Sequence, residues 1–161
     1  MALKITILVG TMTGTAQLCA QEMELVLDDG QTEVQTRLMD DLDASAFADR
    51  ERVYLVCTST YGQGDVPDNA KRLHEALQRE RPDLRGVLYG VYGLGDRTYA
   101  ETFNAGGRRF DEILSDLGAE RIGERHTHDA SSGVLAEEAA LEWVKDWIAQ
   151  VRERLSATAA S

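Results

Sequence analysis

Short apolar runs alternate along the chain with stretches in which apolar residues return every three or four positions. Lys4 to Val9 reads Lys-Ile-Thr-Ile-Leu-Val and stops at Gly10, the pattern of a short strand. Beyond Gly14, the residues Ala16, Cys19, Ala20, Met23, Val26 and Leu27 fall at offsets 0, 3, 4, 7, 10 and 11. Those offsets trace one face of a helix, which Asp28-Asp29-Gly30 ends. Thr32 to Leu38 alternates weakly, as a more exposed strand does, and Asp40 to Asp49 is an acidic connector, a loop or short helix. Val53 to Cys57 is apolar throughout, which suits a strand buried on both faces of a parallel sheet. Ala70, Leu73 and Leu77 mark a second helix, with Pro67 near its start and Pro82 beyond its end. Val87 to Tyr92 is a fourth strand. Phe103, Phe110, Ile113, Leu114 and Leu117 mark a third helix, capped by Gly118, and a fifth strand begins near Arg121 and Ile122. A last helix carries Ala140, Val144, Trp147, Ile148, Val151 and Leu155. Glu137 and Glu138 lie in its first turn and Arg152 and Arg154 near its end, as the helix dipole favours.

Strands alternating with helices predict an α/β fold, a five-stranded parallel sheet of order 2-1-3-4-5 with helices on both faces. Residues 1–155 are expected to form one domain and residues 156–161 a frayed tail. In such a sheet ligands bind beyond the carboxyl ends of the strands, so the segments just after each strand are the informative ones.

Composition narrows the partners. The chain has 161 residues with 28 acidic and 17 basic side chains, a formal net charge of −11. That charge argues against duplex nucleic acid and anionic membrane surfaces and favours basic protein partners. No apolar run reaches the length of a membrane span, and the first ten residues are too short and strand-like for a signal peptide. Two cysteines, Cys19 and Cys57, are too few for a disulfide scaffold and sit in apolar patterns as buried thiols. A cytoplasmic protein is expected.

Three loops carry the candidate chemistry. Thr11-Met12-Thr13-Gly14-Thr15-Ala16 joins the first strand to a helix start and offers hydroxyls and backbone amides without a Lys or Arg. That composition suits either a phosphate held by neutral donors and the helix dipole or a plain N-cap cluster. Ser59-Thr60-Tyr61-Gly62-Gln63-Gly64-Asp65 places an aromatic residue between hydroxyls and glycines at a strand end, where it fits a flat ligand. Gly93-Leu94-Gly95-Asp96-Arg97-Thr98-Tyr99, continuing to Phe103-Asn104, repeats that logic after the fourth strand. Either of the latter two alone also reads as an ordinary turn. Together, after strands one, three and four, the three loops converge on one sheet edge.

These loops resemble those of flavodoxins. Thr11-x-Thr13-Gly14-Thr15 is similar to the family's FMN phosphate loop, and the other two are similar to the FMN loops of diflavin reductases. Gly133-x-Leu135 with Trp143 resembles that group as well, while Ser59 to Asn69 and the short length are most similar to the MioC-like short-chain flavodoxins. The resemblance runs from Ile5 to about Ile148 and implies a flavodoxin-like three-layer fold binding FMN. It implies that Thr11, Met12, Thr13, Gly14, Thr15 and Ala16 wrap the phosphate and that Tyr61 and Tyr99 sandwich the ring. It places Gly62–Gln63 near flavin N5, and Asp96 and Asn104 at the ring or ribityl edge. Ser59, Thr60, Gly64, Leu94, Gly95, Phe103 and Asp129 complete the implied set. Two departures stand out: Asp96 replaces the usual Asn of diflavin reductases, and the Tyr99 to Phe103 segment is one residue longer than theirs. The implied function is a low-potential single-electron carrier between a separate reductase and acceptor proteins that dock on the acidic FMN edge. An FMN-dependent NAD(P)H:quinone reductase on the same fold is the alternative.

Other polar features read as structural. His74 is expected on a helix surface. His126 and His128, two apart beside Asp129, lack the further Cys or His ligands of a metal site. Asp40 to Asp49 reads as a solvated face.

Overall fold

The computed structural model describes residues 3–10, 15–28, 32–39, 42–47, 52–59, 68–95, 105–129, 133 and 135–160. Strands β1 (Leu3–Gly10), β2 (Thr32–Leu38), β3 (Arg52–Ser59), β4 (Leu88–Gly95), β5 (Glu120–Arg121) and β6 (His126–Asp129) form one parallel sheet. Helices α1 (Thr15–Leu27), α2 (Asp68–Glu80), α3 (Ala105–Asp116) and α4 (Ala136–Ala160) cover it. The strand order is β2-β1-β3-β4-β5, with β6 also paired to β4, so the expected 2-1-3-4-5 sheet is present. Its fifth position is filled by two short strands in succession, with Gly123 between them at φ +71°.

Period-two alternation sends each strand's side chains to two separate cores. Ile5, Ile7, Val9, Leu55, Cys57, Tyr92 and Leu94 pack against α1 and α4 on one face. Leu8, Tyr54, Val56, Tyr89 and Val91 pack against α2 and α3 on the other. Within the acidic connector, Ala44–Phe47 forms a single 3-10 turn, and Leu42 before it and Phe47 at its end anchor the connector in the second core. Gly118 ends α3 at φ +104°, with Ala119 N–H donating to Leu114 O at 3.0 Å.

Two local expectations are corrected. Helix α4 extends to Ala160 through residues 156–160. That stretch is rich in alanine, which propagates a helix without needing an apolar stripe. Arg152 and Arg154 therefore stand before the last turn and serve long-range contacts instead. Arg152 donates to Thr32 Oγ1 at 3.2 Å, and Arg154 pairs with Glu120 at 2.7 Å. His74 is buried rather than on the surface, its ring edge-on to Phe110 with centroids 5.4 Å apart. Burial holds its imidazole below the ordinary histidine value, while a hydrogen bond to the Arg109 backbone pulls the other way.

A buried carboxylate ties α3 to the sheet. Asp111 is 6% exposed, and its Oδ1 accepts the Tyr89 hydroxyl at 2.6 Å. Its Oδ2 accepts Arg121 Nη1, and Arg125 Nη1 at 2.9 Å. The network thereby holds both sides of the Gly123 turn against β4.

Candidate cofactor-binding site

Register, not side-chain chemistry, assembles the carboxyl edge. Gly10 of β1 pairs with Thr58 of β3, Thr58 with Gly93 of β4, and Gly93 with Thr127 of β6. One row of residues therefore crosses four strands, about 14 Å at the usual strand spacing. Ser59, Leu94 and His128 form the next row, and Gly95 pairs with Asp129 beyond it. The order reverses between β1 and β3, which lead toward α1 and α2 respectively. This is the switch point at which a doubly wound sheet opens a crevice.

Expected site residues fall into three groups. Thr11, Met12, Thr13, Gly14, Thr60, Tyr61, Gly62, Gln63, Gly64, Asp96, Tyr99, Phe103 and Asn104 lie outside the described residues. Thr15, Ser59, Gly95 and Asp129 are placed by their backbones, at the start of α1 and at the ends of β3, β4 and β6. Ala16 and Leu94 are placed with their side chains, and both point into the α1–α4 core. Only their main chain could meet a ligand at this edge. The Ala16 carbonyl also accepts the Cys57 thiol at 3.3 Å, fastening α1 to β3 just below this edge.

The electrostatics favour an anion at one helix end. No acidic residue occupies the first turn of α1, whereas Glu137 and Glu138 occupy that of α4. A phosphate placed at α1 would then meet the dipole, equivalent to roughly half a positive charge, with no carboxylate in that first turn. An acid-free helix start fits a phosphate monoester.

Residues 7–143 match the profile of the Flavodoxin family. The chain belongs to the flavodoxin family. Flavodoxin YqcA of Pectobacterium carotovorum subsp. carotovorum is 39% identical over 89% of the chain and 94% of its own length. Protein MioC of Escherichia coli (strain K12) is 33% identical over 89% of the chain and 95% of its own length. The sulfite reductase [NADPH] flavoprotein alpha-component of Vibrio cholerae serotype O1 is 37% identical over 98% of the chain, which spans 25% of that longer protein. Among solved structures, a cysteine-to-alanine variant of flavodoxin from Pseudomonas aeruginosa superposes with a TM-score of 0.79 at 31% identity. That match covers 93% of this chain and 99% of the other. Flavodoxins are FMN-binding electron-transfer proteins, and FMN is the cofactor of this one. Among the described residues, no helix of this flavodoxin is long and apolar enough to cross a membrane.

An aromatic cluster also lies near this edge, a contact the sequence pattern did not show. His126 stacks on Tyr92 with centroids 5.0 Å apart and 13° between planes, and Trp143 tilts against both. The Tyr92 hydroxyl donates to Ala136 O at 2.9 Å, linking β4 to the start of α4. Burial, with His128 as a second cause, holds the His126 imidazole below its ordinary value. Near Tyr92 and Glu137 sit the two thiols. Burial pushes the Cys19 thiol up to about 12, Glu137 adding to the effect, and raises Cys57 well above its ordinary value.

These thiols set an alkaline limit. Each is harder to ionise when folded, so the unfolded chain releases its protons first as pH rises. Stability is then lost progressively from about pH 9 toward 12, and buried Tyr89 and Tyr92, both also raised, act in the same direction. We expect urea midpoints to fall across that window and Ellman's reagent at pH 8 to label neither thiol until urea unfolds the chain. Prompt labelling of both thiols in the native protein would contradict the burial.

Proposed function

We propose that this flavodoxin is a cytoplasmic, low-potential, single-electron carrier working between a separate reductase and acceptor proteins. The observation that carries the reading is the in-register convergence of β1, β3, β4 and β6 beside the acid-free first turn of α1. Thr11, Met12, Thr13, Gly14, Thr15 and Ala16 would hold the phosphate through hydroxyls and amides. Tyr61 and Tyr99 would cover the ring, with Gly62–Gln63 beside its N5 edge. Ser59, Thr60, Gly64, Leu94, Gly95, Asp96, Phe103, Asn104 and Asp129 would line the remainder. FMN supplies the redox chemistry; the chain supplies position and charge.

Charge sets the direction of tuning. Asp65, Asp68 and Asp96 follow strand ends in sequence, and Asp129 is the last residue of β6. One carboxylate about 4 Å from a developing negative charge opposes it by roughly 4 kcal/mol at an effective dielectric near 20. The same acids attract a basic partner and make docking sensitive to salt. Free, buried Cys19 and Cys57 are in keeping with a reducing compartment.

The purified protein is expected to be yellow and to release FMN on denaturation. Potentiometric titration should resolve two one-electron steps, the second below that of free FMN, and transfer to a basic acceptor should slow as salt rises. A single two-electron step and salt-independent transfer would overturn the carrier reading. NAD(P)H oxidation by the protein alone would instead support the quinone reductase alternative.

A further inference from the structure

On the face of the sheet away from α1 and α4, helices α2 and α3 leave an open groove of about 670 Å³ between them. His74 and Ile113, each 8% exposed, form its floor. Arg81, Arg108, Arg109 and Asp116 stand along its walls. With Glu112, the lining carries three guanidinium groups against two carboxylates, in a chain whose net charge is −11.

The arginines occupy positions that local preference disfavours. Arg108 and Arg109 lie at the amino end of α3, whose first turn holds no acid although the dipole there favours one. Arg81 follows α2 at φ +44°, the left-handed region in which glycine or asparagine is usual. Sites that break local rules are where function is sought. Arg81 pairs with Asp116 across the groove and Arg108 pairs with Glu112 at 3.8 Å. These carboxylates are 63% and 70% exposed, so an incoming carboxylate can replace or join them at small electrostatic cost.

Shape decides what enters. From Arg108 to Asp116 the groove follows α3 for about 12 Å, the length of roughly four residues of extended chain. It is open along its length, which suits a peptide better than an enclosed small anion. Because α3 connects the parallel strands β4 and β5, its Arg108 end faces the carboxyl edge of the sheet. We propose that the groove between α2 and α3 docks an acidic, extended segment of a partner protein through Arg81, Arg108 and Arg109. A partner with basic and acidic patches at the matching separation would then be oriented by two contacts of opposite sign.

The test uses the full chain loaded with FMN and fluorescein-labelled hexaglutamate, followed by anisotropy at low salt. Saturable binding is expected, weakened about tenfold by Arg108→Glu with Arg109→Glu and unchanged by Arg37→Glu on the edge strand β2. Acids at the start of α3 suit its dipole, so circular dichroism should show the double variant folded. Its flavin absorbance should also be unchanged, which separates failure of the groove from failure of the cofactor reading. Absence of saturable binding, an equal loss from Arg37→Glu, or tripolyphosphate binding more tightly than hexaglutamate would overturn the proposal.

Discussion

Replacing Asp111 with alanine is expected to lower the unfolding free energy by about 3 kcal/mol, a large share of what a domain of this size holds in reserve. The carboxylate is nearly inaccessible and serves three donors, the Tyr89 hydroxyl and the guanidinium groups of Arg121 and Arg125. Removing it leaves two cations facing each other across an empty site. Arg121 and Arg125 keep 38% and 29% side-chain exposure, and water can partly rescue them, so the loss sits at the low end for a broken buried pair. Asp111→Asn keeps an acceptor for Tyr89 but loses the charge and should fall between. Urea unfolding of the three proteins checks the order; a loss under about 1 kcal/mol for alanine would show the network to be ornamental.

Gly90→Ala should cost about 2–3 kcal/mol through overpacking, although it adds only one methyl group to a strand. A Cβ at Gly90 would stand 2.6 Å from Trp147 Cε2 and closer still to Nε1. The indole is rigid, 1% exposed and stacked on Trp143 with centroids 5.8 Å apart, so it cannot swing aside. Glycine at this position exists for the close approach of α4 to β4. The indole N–H has no hydrogen-bond partner among the described residues, so Trp147→Phe loses area but also an unsatisfied donor. In the double variant Gly90→Ala with Trp147→Phe, the smaller ring should make room for the methyl. Its total loss should therefore be less than the sum of the two single losses. Strict additivity in chemical denaturation would show that the two residues do not meet.

Elements with a strong period were legible. The α1 stripe at offsets 0, 3, 4, 7, 10 and 11 and the apolar run of β3 each name their structure, because burial on a fixed face demands that spacing. Strands β5 and β6 carry little such signal. Their residues Glu-Arg and His-Thr-His-Asp are polar, and their strand identity comes from pairing with β4. His74 had a readable clue, since it lies four residues after Ala70 and three before Leu77, on the edge of the same apolar stripe. Asp111 had less, for a single acid beside Phe110 gives no hint that two arginines ten and fourteen residues later will converge on it. At the cofactor edge, loop composition pointed to the ligand class, while the row from Gly10 to Thr127 is a property of sheet register that spacing alone does not encode.

The chain's two tryptophans, Trp143 and Trp147, lie four residues apart on α4 and stack with 15° between their planes. Indoles this close share their excitation, so together they form one optical reporter rather than two. Its light comes from the α1–α4 side of the sheet. A melt followed by tryptophan emission therefore watches one half of the molecule, and the groove between α2 and α3 could open or fill while that signal stays still.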